Sequence, residues 1–215
     1  MKLVIKTARY AVIDEVLPEP LFQDTWKTLA DERFSQKNVT IDWSKTWSFE
    51  GQPGYSSSAV IYRQAEPNTY QEVLGQVFLE ITKHLPEIID KDWQDLRIHT
   101  QMFGRGVKIN GHYDLHSAGS FTFYAHPRWD CNWGGELIIP EVPSFSEGQD
   151  KPPQSLDRSW ENKFLEVGIG QVITPKPNRC VLTGPGVFHY TNRVDPDAGD
   201  ALRISIVGFL LKEKK

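Results

Sequence analysis

The 215-residue sequence predicts a mainly β protein: a C-terminal antiparallel sandwich or barrel supported by a mixed helical and β N-terminal part. Three observations carry this. Beyond Trp93 the chain breaks into short β-type runs, "LRIHTQMFG", "GSFTFYAHP", "GELIIPEV", "QVITPKP", "RCVLTG", "VFHYTNRV" and "LRISIVGFLL", with Gly, Pro and Asn turn signals between them. Strong helical periodicity is confined to two earlier segments. No repeat of fixed period occurs, which argues against a propeller or solenoid.

The elements follow in order. Leu3 to Leu17 mixes β-branched and apolar residues and reads as a strand. Pro20 then opens a helix in which Leu21, Phe22, Trp26, Leu29 and Ala30 recur at helical spacing. Val39 to Ser48 alternates apolar and polar residues, the period of a half-buried strand, and a Gly, Ser and Pro loop follows. The clearest helix runs from Tyr70 to about Leu85, its stripe formed by Tyr70, Val73, Leu74, Val77, Phe78, Ile81 and Leu85, with Pro86 bending or ending it. His84, beside the stripe, reads as a surface or boundary histidine. From Pro143 to Gln171 the chain is polar and rich in Pro and Ser, with a short helix expected around Trp160; this is a lid or a surface insertion. We therefore expect one domain, residues 1–215, in which 1–92 support a core at 93–215 and 143–171 form the insertion.

Composition narrows the function. Hydrophobic residues make up 39% of the chain and charged ones 24%, with seven Trp and eleven Phe, enough to bury a sizeable core. A net charge of -4 provides no broad basic field, so nucleic acid is not an expected partner. No apolar run approaches a membrane span and the start lacks a signal-peptide pattern, so the expected location is the cytoplasm. Cys131 and Cys180 form no CxxC pair and fit reduced structural thiols.

Chemistry concentrates in "GHYDLHSAGS", residues 111–120, which places His112, Asp114 and His116 at alternate positions in a chain with only six histidines. If Ile109 to His116 is extended, all three face one side. Two strand positions span roughly 6.6 Å, which inward-leaning side chains can close onto an ion with bonds near 2 Å; four span roughly 13 Å, which they cannot. His112 with Asp114 is therefore a candidate pair, and His116 falls to the rim, where it meets substrate or solvent. A third ligand must come from another strand, from among His99, His126 and His189. The return of a late strand beside an early one weakly favours His189. Two His and one carboxylate leave three positions open, the facial triad of non-haem Fe(II) oxygenases. A cosubstrate with a carboxylate tail also needs a fixed cation. Arg203, on the apolar run after His189, requires an anionic partner if buried, and Ser205 on the same face adds a hydroxyl donor.

Together these residues resemble the Fe(II)- and 2-oxoglutarate-dependent dioxygenases, in their prolyl-hydroxylase-like branch. The family's HxD pair, distal His and later Arg match His112 and Asp114, His189 and Arg203. "FGRGVKINGHYD" and "FYAHPRWDCNWGGELIIPE" are similar to its approach to the HxD pair and its Gly-Gly-Glu strand, and the likeness spans roughly Arg97 to Leu211. The resemblance implies a double-stranded β-helix, a cupin-like jelly roll, holding Fe(II) at its open end and taking 2-oxoglutarate and O2, with ascorbate as a reductant. It assigns Tyr124 to the far carboxylate of 2-oxoglutarate. The implied reaction is hydroxylation of an unactivated C–H bond in a small molecule, amino acid or peptide, with succinate and CO2 released. Related halogenases replace the Asp114 carboxylate with a small residue, so its presence favours oxygenation. Two departures stand out: "DPDAGDA" lengthens the turn before Arg203, leaving Arg193 as an alternative anchor, and Met102 occupies the place of a family tyrosine. Rival readings are a prolyl or protein-residue hydroxylase, a cupin-like metal hydrolase or isomerase, and a non-catalytic jelly-roll binding module.

Overall fold

The computed structural model describes residues 1–30, 35–37, 47–49, 54–62, 70–85, 87–114, 117–142, 144, 166 and 168–212. The N-terminal apolar run is a hairpin rather than one strand. β1 (Lys2–Lys6) and β2 (Tyr10–Asp14) pair antiparallel, with Lys2 opposite Asp14. Thr7 makes the turn: its N–H and its hydroxyl donate to Tyr10 O at 2.9 and 3.1 Å, and its oxygen accepts from the Arg9 and Tyr10 N–H groups. A threonine that strand propensity favours thus ends the strand through its own local hydrogen bonds.

Helix α1 (Glu19–Ala30) follows, with Pro20 in its first turn, where a missing N–H costs nothing. Short strands β3 (Ser35–Lys37), β4 (Trp47–Phe49), β5 (Gly54–Ser56) and β6 (Val60–Tyr62) lead to helix α2 (Tyr70–His84). Of the expected Val39 to Ser48 strand only its last two residues fall in β4; the rest, like Pro86, the segment around Trp160 and most of 143–171, lies outside the described residues.

The remaining strands are β7 (Trp93–Phe103), β8 (Val107–His112), β9 (Ser117–Tyr124), β10 (Leu137–Pro140), β11 (Gly170–Ile173), β12 (Cys180–Thr183), β13 (His189–Thr191) and β14 (Arg203–Lys212). β11 begins at Gly170, so the last two residues of the expected insertion are already strand. Among the described residues there are two antiparallel sheets. The larger runs β1-β2-β12-β9-β14-β7-β5-β3, with β6 also on β7, and the smaller runs β11-β10-β13-β8-β4. Strands β7, β9, β12 and β14 lie in the first and β8, β10, β11 and β13 in the second. The chain therefore winds between two layers as a double-stranded β-helix.

Alternation decides what each face of the large sheet does. Phe121, Phe123, Ile204 and Ile206 point outward and join Leu74, Phe78 and Ile81 of α2 and Phe22 and Leu29 of α1 in the main core. Tyr10, Val12, Tyr124 and Val181 point inward, where they meet Leu137 and Ile139 of the small sheet. The N-terminal helices thus cover one face and leave the interior between the sheets for a site. None of the described helices is long and apolar enough to cross a membrane.

Phe78 is fully buried and stacks on Phe121. Phe78→Ala should cost about 3–5 kcal/mol, seen as a lower urea midpoint with an unchanged m-value.

Candidate metal centre

The centre begins with strand register. β8 and β13 pair so that His112 lies directly opposite His189, and cross-strand partners of this kind hold their Cβ atoms about 5 Å apart. The two imidazole centroids are 4.5 Å apart. Each ring is oriented by its own strand, since His112 Nδ1 lies 2.8 Å from Asn110 O and His189 Nδ1 lies 2.9 Å from Val187 O. A carbonyl only accepts, so each Nδ1 carries the proton and each Nε2 presents a lone pair. Burial holds the His112 pKa below its ordinary value, His189 pushes it the same way, and Asp114 opposes them.

Asp114 arrives differently from expectation. Strand β8 ends at His112, so Ile109 to His116 is not continuously extended. The Ser117 N–H and hydroxyl both donate to Asp114 O, at 3.2 and 2.9 Å, and this turn lifts Asp114 out of the ladder. Its carboxylate oxygens reach 3.7 Å from His112 Nε2 and 3.7 Å from His189 Nε2. All three residues offer donor atoms within 4.8 Å of one another. Two lone pairs and a carboxylate converging on one point repel each other until a cation sits between them; Oδ1 faces His112 and Oδ2 faces His189, each at 3.7 Å, within the span of two bonds near 2 Å. Imidazole nitrogens with a carboxylate, and no thiolate, suit Fe(II) among other divalent ions.

Among the described residues no other candidate joins this cluster. His116 lies outside the described residues. His99 is buried on β7 and contacts Gln101 Nε2 at 3.1 Å. His126 is buried and structural: Nε2–H donates to Pro175 O at 2.6 Å while Nδ1 accepts from the Ile204 N–H at 3.2 Å. Exposed His84 pairs with Glu80. Both cysteines are free, Cys131 exposed and Cys180 buried.

Arg203 lies at the start of β14 and is buried to 1% exposure. Nε donates to Gly135 O at 2.7 Å and Nη1 to Ser205 Oγ at 3.2 Å, while the guanidinium lies 5.0 Å from the Tyr124 ring and 5.4 Å from the Phe103 ring. Among the described residues no carboxylate forms an ion pair with it, Glu136 exerting only a weaker Coulombic pull. Beside it the buried Tyr124 hydroxyl makes no hydrogen bond of good geometry with any described residue, although the Arg203 guanidinium is close enough to act on it as a donor. Burial pushes the Tyr124 pKa up and the Arg203 charge pulls it back. A buried cation with no carboxylate partner among the described residues, beside a buried phenol, is a fit for the carboxylate of a bound molecule. Arg193, the alternative anchor, is spent on Gly106 O at 2.8 Å.

Two features escaped the sequence. Phe103 holds the inner position opposite Arg203, while Met102 pairs with Ile204 and packs against the outer core. Gly135 adopts φ +72, and a Cβ there would sit 2.7 Å from Arg203 Cδ, so the Gly-Gly pair makes room for the guanidinium.

Known structures share this architecture. No family model matches the chain, and no curated protein matches it by sequence. A prolyl-4-hydroxylase from Pseudomonas putida superposes with a TM-score of 0.58 at 15% identity, over 95% of this chain and 93% of that one. A 2OG-Fe(II) oxygenase-family oxidoreductase from Burkholderia pseudomallei gives 0.57 at 12%, over 96% and 88%. A non-haem alpha-ketoglutarate-dependent epimerase of nogalamycin biosynthesis gives 0.57 at 11%, over 94% and 78%. At these identities the likeness is one of fold.

Burial lowers the His126 pKa to about 4, with Arg203 acting in the same direction and its backbone hydrogen bonds opposing. The unfolded chain then binds the proton more tightly, with a value of about 6.5. Stability from this group is complete above that pH and is lost as pH falls towards 4, on the order of 3 kcal/mol. NMR titration should find His126 still neutral at pH 5.

Proposed function

We propose that the chain is a non-haem Fe(II)- and 2-oxoglutarate-dependent oxygenase, one catalytic domain that hydroxylates an unactivated C–H bond of a small molecule, amino acid or peptide. The observation that carries this reading is the joint presence, inside one barrel, of the His112, Asp114 and His189 cluster and of buried Arg203, which has no carboxylate partner among the described residues, beside the buried Tyr124 hydroxyl. A metal site alone fits a hydrolase or isomerase equally well. A second, buried anion site in the same interior is what a dicarboxylate cosubstrate requires.

Fe(II) and 2-oxoglutarate held here would activate O2, the oxidant, whose four electrons would come two from 2-oxoglutarate as it becomes succinate and CO2 and two from the substrate C–H bond. The protein's own residues supply binding, orientation and dryness. His112 and His189 donate Nε2 lone pairs, and their Nδ1–H bonds to Asn110 O and Val187 O prevent the rings from turning. Asp114 would add one negative charge, and a divalent ion held by these three ligands would have room for a bidentate cosubstrate and O2. Arg203 and Tyr124 take the far carboxylate, with Ser205 holding the guanidinium in place. Leu137, Ile139 and Val181 line the interior and exclude water from it.

The fold likeness to a prolyl-4-hydroxylase supports a second substrate reading, a residue within a protein or peptide. The reading is tested by reconstituting the protein anaerobically with Fe(II), adding 2-oxoglutarate and O2, and measuring succinate with pools of metabolites and peptides present. Wild type should form succinate, His112→Ala should fall to background, and Arg203→Met should raise the 2-oxoglutarate KM by ~100-fold, as for the loss of a buried charge pair. Absence of succinate from wild type under every condition contradicts the proposal, and a 16 Da mass gain identifies the substrate.

A further inference from the structure

The inner face of the large sheet carries two buried hydroxyls that the proposed chemistry does not use, Ser120 on β9 and Thr183 on β12, 5% and 4% exposed. They are register partners across the β9–β12 ladder. Ser120 Oγ donates to Asp114 Oδ2 at 2.7 Å, and Ser120 Oγ and Thr183 Oγ1 are 2.7 Å apart. Proton counting sets the direction. An ionised carboxylate only accepts, so the single Ser120 proton goes to Asp114. The Ser120 oxygen must then accept from Thr183, whose hydroxyl also leans towards Ser120 O at 3.3 Å. The chain runs one way, from Thr183 to Ser120 to Asp114.

The geometry points to Ser120 and Thr183 as positioning residues that hold Asp114 to one-oxygen coordination. Each oxygen faces one histidine, Oδ1 at 3.7 Å from His112 Nε2 and Oδ2 at 3.7 Å from His189 Nε2; Ser120 already occupies Oδ2, which leaves Oδ1 as the oxygen with its lone pairs free for an ion. The Asp114 backbone is fixed separately by Ser117, so the carboxylate has little freedom except rotation about its own bonds, and Ser120 opposes that rotation. The count of open positions depends on it. One oxygen from Asp114 leaves three sites on a six-coordinate ion; two would leave only two, too few for a bidentate cosubstrate together with O2. Thr183 strengthens the bond from a distance, since a hydroxyl that accepts a hydrogen bond becomes a better donor.

This inference rests on Asp114 being a metal ligand, so its test reads the metal directly, without turnover. Co(II) is titrated against a competing chelator into wild type, His112→Ala, Ser120→Ala, Thr183→Val, Thr183→Ser and the Ser120→Ala/Thr183→Val double variant, and visible absorption is recorded for each. Ser120→Ala should weaken Co(II) about 10- to 100-fold and change the absorption bands as the freed oxygen joins the ion. Thr183→Val, which keeps the side-chain volume and so the packing, should weaken it less. Thr183→Ser should match wild type, and the double variant should match Ser120→Ala, because Thr183 acts only through Ser120. Wild-type affinity and bands in Ser120→Ala, or a Thr183→Val effect undiminished in the Ser120→Ala background, would overturn the relay alone. If His112→Ala binds Co(II) as tightly as wild type, the metal reading itself falls, and the relay with it.

Discussion

The register between β8 and β13 is the constraint on which the centre depends. It places His112 opposite His189, and the period of two means that a slip of one residue would turn one imidazole out of the interior. Each ring is further tied to the carbonyl two residues before it, Asn110 for one and Val187 for the other. The same local device, used on two strands distant in sequence, aims both Nε2 atoms inward. The pairing is held from both sides, β13 by β10 and β8 by β4, so neither histidine strand is an edge. Asp114 needs no place in the ladder because the turn to Ser117 delivers it from the strand's end.

A second constraint works within single strands. On β14, Ile204 and Ile206 bind the sheet to the helices while Arg203 and Ser205 face the interior, so the residues that stabilise the fold and those that would meet a cosubstrate alternate along one segment. Burying the guanidinium with no carboxylate partner among the described residues is costly. The cost is offset in part by Gly135 O and by the faces of Phe103 and Tyr124, and those contacts exist because positions 134 and 135 are glycines with positive φ. His126 braces the same corner through Pro175 and Ile204.

Much of this was legible in the sequence. The short runs after Trp93 correspond to strands because alternation and turn residues are local signals. His112 and Asp114 were a recognisable pair because a spacing of two limits reach. His189 was only weakly favoured until strand pairing brought it opposite His112, since register across distant segments leaves no local trace. Ser120 and Thr183 were invisible for the same reason: a small hydroxyl inside a β run reads as an ordinary strand residue until its partner is known. Thr7 misled in the other direction, its strand propensity hiding a turn held by its own hydroxyl. Phe103 opposite Arg203 was not legible either, because linear spacing does not report which face of β7 a residue takes.

The proposed function requires one interior to hold a metal through His112, Asp114 and His189 and the far carboxylate of a chelating 2-oxoacid through Arg203. Anaerobic optical titration measures this directly, because a 2-oxoacid chelating ferrous iron produces a visible charge-transfer band that water ligands do not. Wild-type protein with Fe(II) should develop the band on adding 2-oxoglutarate, saturating at one equivalent per chain, and pyruvate, which lacks the second carboxylate, should require far higher concentrations. No band with either acid, or equal affinity for both, would contradict the account.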